Sequence, residues 1–358
     1  MIDFLWLLLP LAAASGWLAA RRKERQQASV DDFKGLNHQL NDEPDKLIDI
    51  VINQKLDNET LLELGIFFRR KGEINRAIRI HKNLLKHSTA PALFELAQDY
   101  RYAGLLDRAE KLFQKLSRFN SHKTLALRQL QALYQQEHDW KKAIRTAQQI
   151  AEPTHTEIAQ YYCEQAEEYQ QERESEAAQQ AIQKALKTDP NCARASLLKG
   201  QLALERGETK QAILAFQRVE QQDPDYISEI ITPLQTCYQG QEFTHYLRHL
   251  LEHHASIKSM LALANIIKQQ EGDSQLFDFI VEKIQNSPPS LHGLDLLLDL
   301  ALSKKDSISR DYLLLLKEIS TQLLKNEPAY KCTHCGLTTR KLYWQCPSCH
   351  EWNTVKPL

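Results

Sequence analysis

Glycine and proline are scarce here, 11 and 12 among 358 residues. That excludes a collagen-like repeat and a Gly/Pro-rich disordered chain. It also counts against dinucleotide-binding and phosphate-loop enzymes, and neither GxGxxG nor GxxxxGK(S/T) occurs. GxSxG and HExxH are absent too, so the common hydrolase signatures fall away. There is no charge surplus: 45 Lys and Arg face 46 Asp and Glu, a net charge of −1. A nucleic-acid partner is therefore not expected, because such binding rests on a basic surplus or stripe. Seven cysteines in a chain this long do not make a disulfide scaffold. What remains is rich in Leu, Ala, Gln, Glu, Lys and Arg, a composition for helices.

One long uncharged run exists, seventeen residues from Phe4 to Ala20. As a helix it would span roughly 26 Å, enough for a bilayer core of about 30 Å with flanking residues and local thinning. Trp6 and Trp17 stand near its ends, where indoles prefer the headgroup level. A cleaved signal peptide would carry basic residues before the run. Here Met1-Ile2-Asp3 precedes it, and Arg21, Arg22, Lys23 and Arg25 follow it. By the positive-inside rule the short N-terminus lies outside and the bulk of the chain in the cytoplasm. The reading is a single-pass anchor over 1–20 and a basic juxtamembrane linker over 21–30.

Beyond the linker a pattern recurs at about 34 residues. Its clearest copy is Gly200, Ala212, Phe216, Val219, Pro224, and the copy before it has Ala166, Tyr169, Ala178, Ile182, Ala185, Pro190. Further copies show Tyr134, Ala143 and Ile150; Ala97, Tyr100, Ala109 and Phe113; and Gly65, Phe68 and Ala77. The alanines at 77, 109, 143, 178 and 212 step by 32, 34, 35 and 34. Two antiparallel helices approach closely where side chains are small, and large residues of one hairpin fill gaps left by the next. This is the tetratricopeptide pattern. Gly72, Gly104 and Gly207 close first helices, while Asp189-Pro190 and Asp223-Pro224 end second ones. Thinner copies run over 230–254, 260–288 and 291–324, and an imperfect one over 33–58. The predicted array covers 31–327 with about eight units, five of them regular.

Such arrays are binding scaffolds, so the fold alone names no activity. First-helix positions expected at the groove of the early units are Arg69, Arg70, Phe94, Arg101, Tyr102 and Arg128. They suit an acidic or extended peptide segment; the alternative is a solvated charged face. Leu62 and Phe94 stand where a carboxylate clamp would need Lys, which argues against that use.

The segment 328–358 carries Cys332-x-x-Cys335 and Cys346-x-x-Cys349, with ten residues between the pairs. Each CxxC turn offers two corners of a tetrahedron, with Zn–S about 2.3 Å. A segment this short cannot fold by burial alone, and structural zinc supplies on the order of 10–16 kcal/mol. The expectation is one metal ion on four thiolates, zinc or iron, since the ligand set suits both. Disulfides would need an oxidising compartment. The CxxCH string at 346–350 would serve haem attachment but leave the first pair unexplained. Cys163, Cys192 and Cys237 read as small core residues. His245, His249 and His253 recur at i+4 on one helix and could bind metal, although no carboxylate partner is implied.

The anchor, the repeats and the knuckles together make the chain similar to the lipopolysaccharide assembly protein B family of Gram-negative bacteria. The resemblance is most specific over FKGLNHQLNDEPDKLID (33–49), RRKGEINRAIRIHKNLL (69–85) and the segment from Tyr330 to Trp352. It implies an all-α repeat protein of the inner membrane with a terminal rubredoxin-like domain packed against the repeats. Cys332, Cys335, Cys346 and Cys349 would be that domain's metal ligands, and the N-terminus would be periplasmic. The implied function is non-catalytic and regulatory: an adaptor bringing the deacetylase LpxC to the membrane protease FtsH. Other inner-membrane lipopolysaccharide regulators and assembly proteins are expected partners, with a second copy of the chain a further candidate. A tethered scaffold for envelope enzymes would give the same pattern. An electron carrier has only the metal site in its favour.

Overall fold

The computed structural model describes residues 57–85, 90–150, 154–238, 241–254, 256–286, 291–303 and 310–358. The expected anchor, the basic residues Arg21, Arg22, Lys23 and Arg25, and nearly all of the 33–58 unit lie outside the described residues. Among the described residues no helix is long and apolar enough to cross a membrane.

Helices run in sequence as α1 Asn58–Arg70, α2 Ile74–Leu84, α3 Ala90–Tyr102, α4 Leu106–Leu116, α5 Lys123–Gln136, α6 Trp140–Ala147, α7 His155–Gln171 and α8 Ser175–Thr188. They continue as α9 Ala193–Glu205, α10 Thr209–Gln222, α11 Ile227–Cys237, α12 Glu242–His253, α13 Ile257–Gln270, α14 Asp273–Asn286, α15 Leu291–Ser303 and α16 Arg310–Asn326. Three short strands end the chain: β1 Tyr330–Cys332, β2 Thr338–Thr339 and β3 Val355–Pro357. They form an antiparallel sheet in the order β2-β1-β3, with Lys331 opposite both Thr338 and Lys356. The fold divides into two compact units between Leu133 and Tyr134, within α5.

The 34-residue period reflects one turn used repeatedly. Gly72, Gly104, His138, Arg173 and Gly207 all take positive φ, between 57° and 82°. The residue after each, the N-cap of the next helix, has φ between −84° and −88°. Its N–H reaches back to a carbonyl five residues earlier, as Glu73 to Phe68 at 2.9 Å and Glu208 to Ala203 at 2.8 Å. This bond satisfies a carbonyl orphaned at the helix end. Glycine favours the conformation at three of the five positions; His138 and Arg173 adopt it without glycine's freedom.

The alanines that set the period are fully buried: Ala77, Ala109, Ala143, Ala178 and Ala212 each expose 0% of their surface. Beside them the small-against-large rule takes atomic form. A Cβ at Gly200 would lie 2.5 Å from the Phe216 ring, and one at Gly65 would lie 2.3 Å from the ring of His81. In the second unit a continuous apolar core runs from Ala193 through Phe216, Tyr226, Leu234, Leu247 and Leu263 to Ile280.

Candidate metal centre

Each knuckle is a tight turn built the same way. Gly336 N–H donates to Cys332 O at 3.0 Å, and His350 N–H donates to Cys346 O at 2.9 Å. The residue after each CxxC bends back through positive φ, 78° at Gly336 and 60° at His350. Histidine tolerates this region better than most residues, which lets the second knuckle dispense with glycine. Pairing of β1 with β3, register Cys332 to Val355, then brings the knuckles face to face.

The four sulfurs lie within 4.8 Å of one another. Cys332 and Cys349 Sγ are 3.8 Å apart, and Cys335 and Cys346 Sγ 3.7 Å. A tetrahedron of M–S bonds about 2.3 Å long has edges of about 3.8 Å, so the donor set fits a tetrahedral thiophilic ion. A disulfide would need about 2.05 Å, and all four cysteines are free. Cys332 and Cys346 are buried, Cys349 is partly covered and Cys335 faces solvent.

The electrostatics point the same way. Burial pushes the Cys332 thiol up, but amide N–H groups of Cys335 and His334 and the Thr354 hydroxyl outweigh it and bring the value down to about 6. At Cys349 the Glu351 amide pulls down, yet burial and the three neighbouring sulfurs carry the value up to about 12. One thiolate forms readily and another resists, because negative charges this close repel. A dication relieves that repulsion. The cluster can hold one metal ion on Cys332, Cys335, Cys346 and Cys349.

The ribbon does not stand alone. Trp352 meets Tyr161 edge-on at 5.8 Å between centroids and Trp140 at 6.5 Å. Trp344 lies 4.8 Å from the Tyr226 ring, with the Arg194 guanidinium 5.6 Å from its own centroid. Asn353 accepts from Gln160 Nε2 at 2.9 Å, and Gln160 Oε1 accepts from Arg194 at 3.2 Å. Lys356 pairs with Asp223, Tyr226 donates to Val355 O at 3.3 Å, and Tyr330 donates to Glu229 at 3.1 Å. Arg194 is buried, which alone would lower its pKa, but Glu164 and Glu167 at 2.9 and 2.8 Å raise it instead. That neutralised pair of carboxylates makes a buried guanidinium tolerable.

These docking residues were not singled out from the sequence. The signal was available: Tyr330, Tyr343, Trp344 and Trp352 are more aromatic surface than so short a ribbon can cover by itself.

The six groove candidates are placed differently from one another. Arg69 is tied to Glu95 at 2.5 Å and to Asp99 at 2.7 Å. Burial would lower its pKa, but those two carboxylates raise it. Asp99 also meets Nδ1 of the buried His81 at 2.5 Å, whose Nε2 lies 3.1 Å from Leu62 O. Phe94 packs edge-on against Phe113 at 5.9 Å. Arg70 and Tyr102 are exposed and Arg101 is partly so, all at the ends of α1 and α3. Arg128 is exposed on α5.

Cys163, Cys192 and Cys237 are buried. His249 and His254 approach Glu220 at 3.3 and 3.5 Å, a carboxylate partner that helical spacing did not imply. Among the described residues, the four ribbon cysteines are the one group of three or more such donors gathered closely enough for a metal.

Comparison with known proteins places these features in context. A family model described as a rubredoxin metal-binding domain matches residues 330–357, and a tetratricopeptide repeat model matches residues 163–227. Lipopolysaccharide assembly protein B of Escherichia coli (strain K12) is 33% identical across 100% of this chain and 98% of its own length. The protein of that name from Haemophilus influenzae is also 33% identical, with the same coverage. Among solved structures, a crystal structure of MamA covers 48% of this chain and 93% of its own at 21% identity and a TM-score of 0.34.

Proposed function

The chain belongs to the lipopolysaccharide assembly protein B family, and on that premise we propose that it is a non-catalytic adaptor at the inner membrane. In this reading it presents the deacetylase LpxC to the membrane protease FtsH and so limits lipopolysaccharide synthesis. Residues 1–20 anchor it with the N-terminus periplasmic, and Arg21, Arg22, Lys23 and Arg25 hold the bulk of the chain on the cytoplasmic side. Holding a substrate beside its protease raises effective concentration without chemistry on the adaptor's part.

One observation carries the reading. Within the second unit, repeats and ribbon jointly wall a cavity of about 820 Å³, with Ile227, Glu229 and Lys258 from the repeats and Tyr330 and Leu358 from the ribbon. Its walls mix apolar side chains such as Ile227, Ile257 and Leu261 with charged and polar ones such as Asp225, Glu229, His253 and Lys258, a lining that suits a polar protein segment better than a small apolar ligand. Because the ribbon supplies part of the wall, a metal on the four cysteines would act at a distance, by keeping that surface assembled. In the first unit Arg70, Phe94, Arg101, Tyr102 and Arg128 stay as partner-facing candidates, whereas Arg69 is tied to Glu95 and Asp99.

The test is the cellular half-life of LpxC after depletion of this protein, with three versions restored in turn: wild type, a deletion of residues 1–20, and Cys332→Ser/Cys335→Ser. A lengthened half-life rescued by the wild type alone is the expected result. An unchanged half-life alongside persistent envelope defects would replace the adaptor by a scaffold for envelope enzymes.

A further inference from the structure

The turn edge of the first unit gathers large aromatic rings and basic side chains at the surface. Phe67 and Tyr102 are exposed at 48% and 60%, unusual for large rings on a polar surface. Phe67 ends near the α1–α2 turn and Tyr102 near the α3–α4 turn, and Arg69 bridges the two by lying 5.7 Å from the Tyr102 ring. Cations sit against both rings: Lys71 Nζ is 4.7 Å from the Phe67 centroid, and Arg101 is 5.6 Å from that of Tyr102. Arg70 is exposed at the end of α1. Of the acids nearby, Glu73 is paired with Arg76, leaving Asp107 exposed at the start of α4.

The bias extends beyond the edge. Residues 57–85 and 90–133 carry thirteen Lys and Arg against eight Asp and Glu, in a chain whose overall net charge is −1. Just after the apolar run Arg21, Arg22, Lys23 and Arg25 form a separate basic cluster. A local basic surplus in a chain that is neutral overall is an electrostatic device.

We propose that this edge, formed by Phe67, Arg70, Lys71, Arg101 and Tyr102, rests on an anionic phospholipid surface. The Tyr102 ring suits the headgroup level, Phe67 can sink to the headgroup–acyl boundary, and adjacent Lys and Arg are drawn to anionic lipid. An acidic peptide would need a cleft to confer register. The recess at the α3–α4 turn, lined by Gly104 to Arg108, is small at about 190 Å³. The inference deepens the membrane-anchored reading and rests on it for location. An anchor fixes only one point of the chain; an edge that lies on the headgroups would set the orientation of the first repeats to the bilayer.

Hydrogen–deuterium exchange on the full chain tests this, in vesicles of phosphatidylcholine alone and of phosphatidylcholine with phosphatidylglycerol. Amides of the 70–74 and 102–106 turns are expected to exchange roughly fivefold slower with the anionic lipid. The protection should fade in high salt, as screening shortens the reach of surface charge. It should vanish in Arg70→Glu/Lys71→Glu/Arg101→Glu and weaken in Phe67→Ser/Tyr102→Ser. Equal exchange in the two lipids overturns the proposal. So does protection by polyglutamate without protection by phosphatidylglycerol, which would assign the edge to an acidic peptide. Flotation with phosphatidylcholine vesicles reads the anchor separately. A chain that fails to float there but gains turn protection with phosphatidylglycerol refutes the anchor and supports the edge.

Discussion

The terminal ribbon and the helical repeats face the same shortage, too little apolar surface within one short segment, and meet it differently. A repeat hairpin borrows its neighbour: Phe216 fills the space above Gly200, and Tyr226 carries the apolar core onward into α11. The ribbon buries only Tyr330, Cys332, Cys346 and Val355 at its centre, two of them metal-ligand candidates. Stacking is graded and local, so a repeat can lose a contact and persist. A four-thiolate centre has no such gradation, because each ligand fixes the others. The ribbon should therefore fail as a whole where a repeat fails by degrees.

The largest expected effect follows from that contrast. Stripping the metal with a chelator, or making Cys332→Ser, should abolish the ribbon's order, since structural zinc contributes on the order of 10–16 kcal/mol. Tryptophan fluorescence should change strongly, because Trp344 and Trp352 leave Tyr226 and Tyr161, while far-UV circular dichroism barely moves. Loss of helix in proportion would show that repeats and ribbon are not separable, and would break the comparison. Acid should act by the same route. The Cys332 value of about 6 lies below the ordinary 9, so its thiolate contributes fully above pH 9 and is lost as pH falls through 6. Proton release on metal binding, measured calorimetrically between pH 6 and 9, checks this; binding without proton release would refute it.

Within the repeats a second contrast sharpens the first. Gly65 and Gly200 stand under equivalent rings, but one ring is an imidazole and the other a phenyl. Gly200→Ala should cost about 1–3 kcal/mol from overpacking, partly offset by alanine's helix preference. Gly65→Ala should cost more, because displacing His81 also breaks its contacts with Asp99 and Leu62 O, worth about 1–3 kcal/mol when a buried group is left unsatisfied. Denaturation midpoints of the two variants give the comparison. Equal losses would mean that the polar ties at His81 contribute little.

That pair also shows what could be read from the chain and what could not. The repeat period, the buried alanines and the cysteine tetrad were legible because each follows from spacing along one segment. Gly65 was legible as a small residue, but its partner was not, since a histidine sixteen residues on does not look like the phenylalanine at 216. Recognising His81 as the buried ring would have required acceptors for its two nitrogens, and one of these, Asp99, belongs to the next repeat. Arg69 was expected at the groove for the same reason: helical spacing gives the face of a residue but not the charges brought to it. The ribbon's docking side was hidden likewise. Asn353 and Gln160 are 193 positions apart, and nothing local to either announces the other.

The smallest effect asks whether backbone strain is shared by the two kinds of segment. Gly336 and His350 occupy equivalent knuckle positions, as Gly207 and Arg173 occupy equivalent repeat turns, all at positive φ. The left-handed region costs a non-glycine residue roughly 1–2 kcal/mol, offset in part by the entropy that glycine loses on folding. Arg173→Gly should therefore stabilise the repeats by about 0.5–1 kcal/mol, and His350→Gly the metal-loaded ribbon by the same amount. Thermal midpoints of both variants measure it. A gain at 173 with a loss at 350 would show that the His350 side chain supports the second knuckle, giving the ribbon a hold beyond its metal and its docking aromatics. Matching gains would leave the conformational cost as a property of the backbone alone, indifferent to whether stacking or a metal closes the segment.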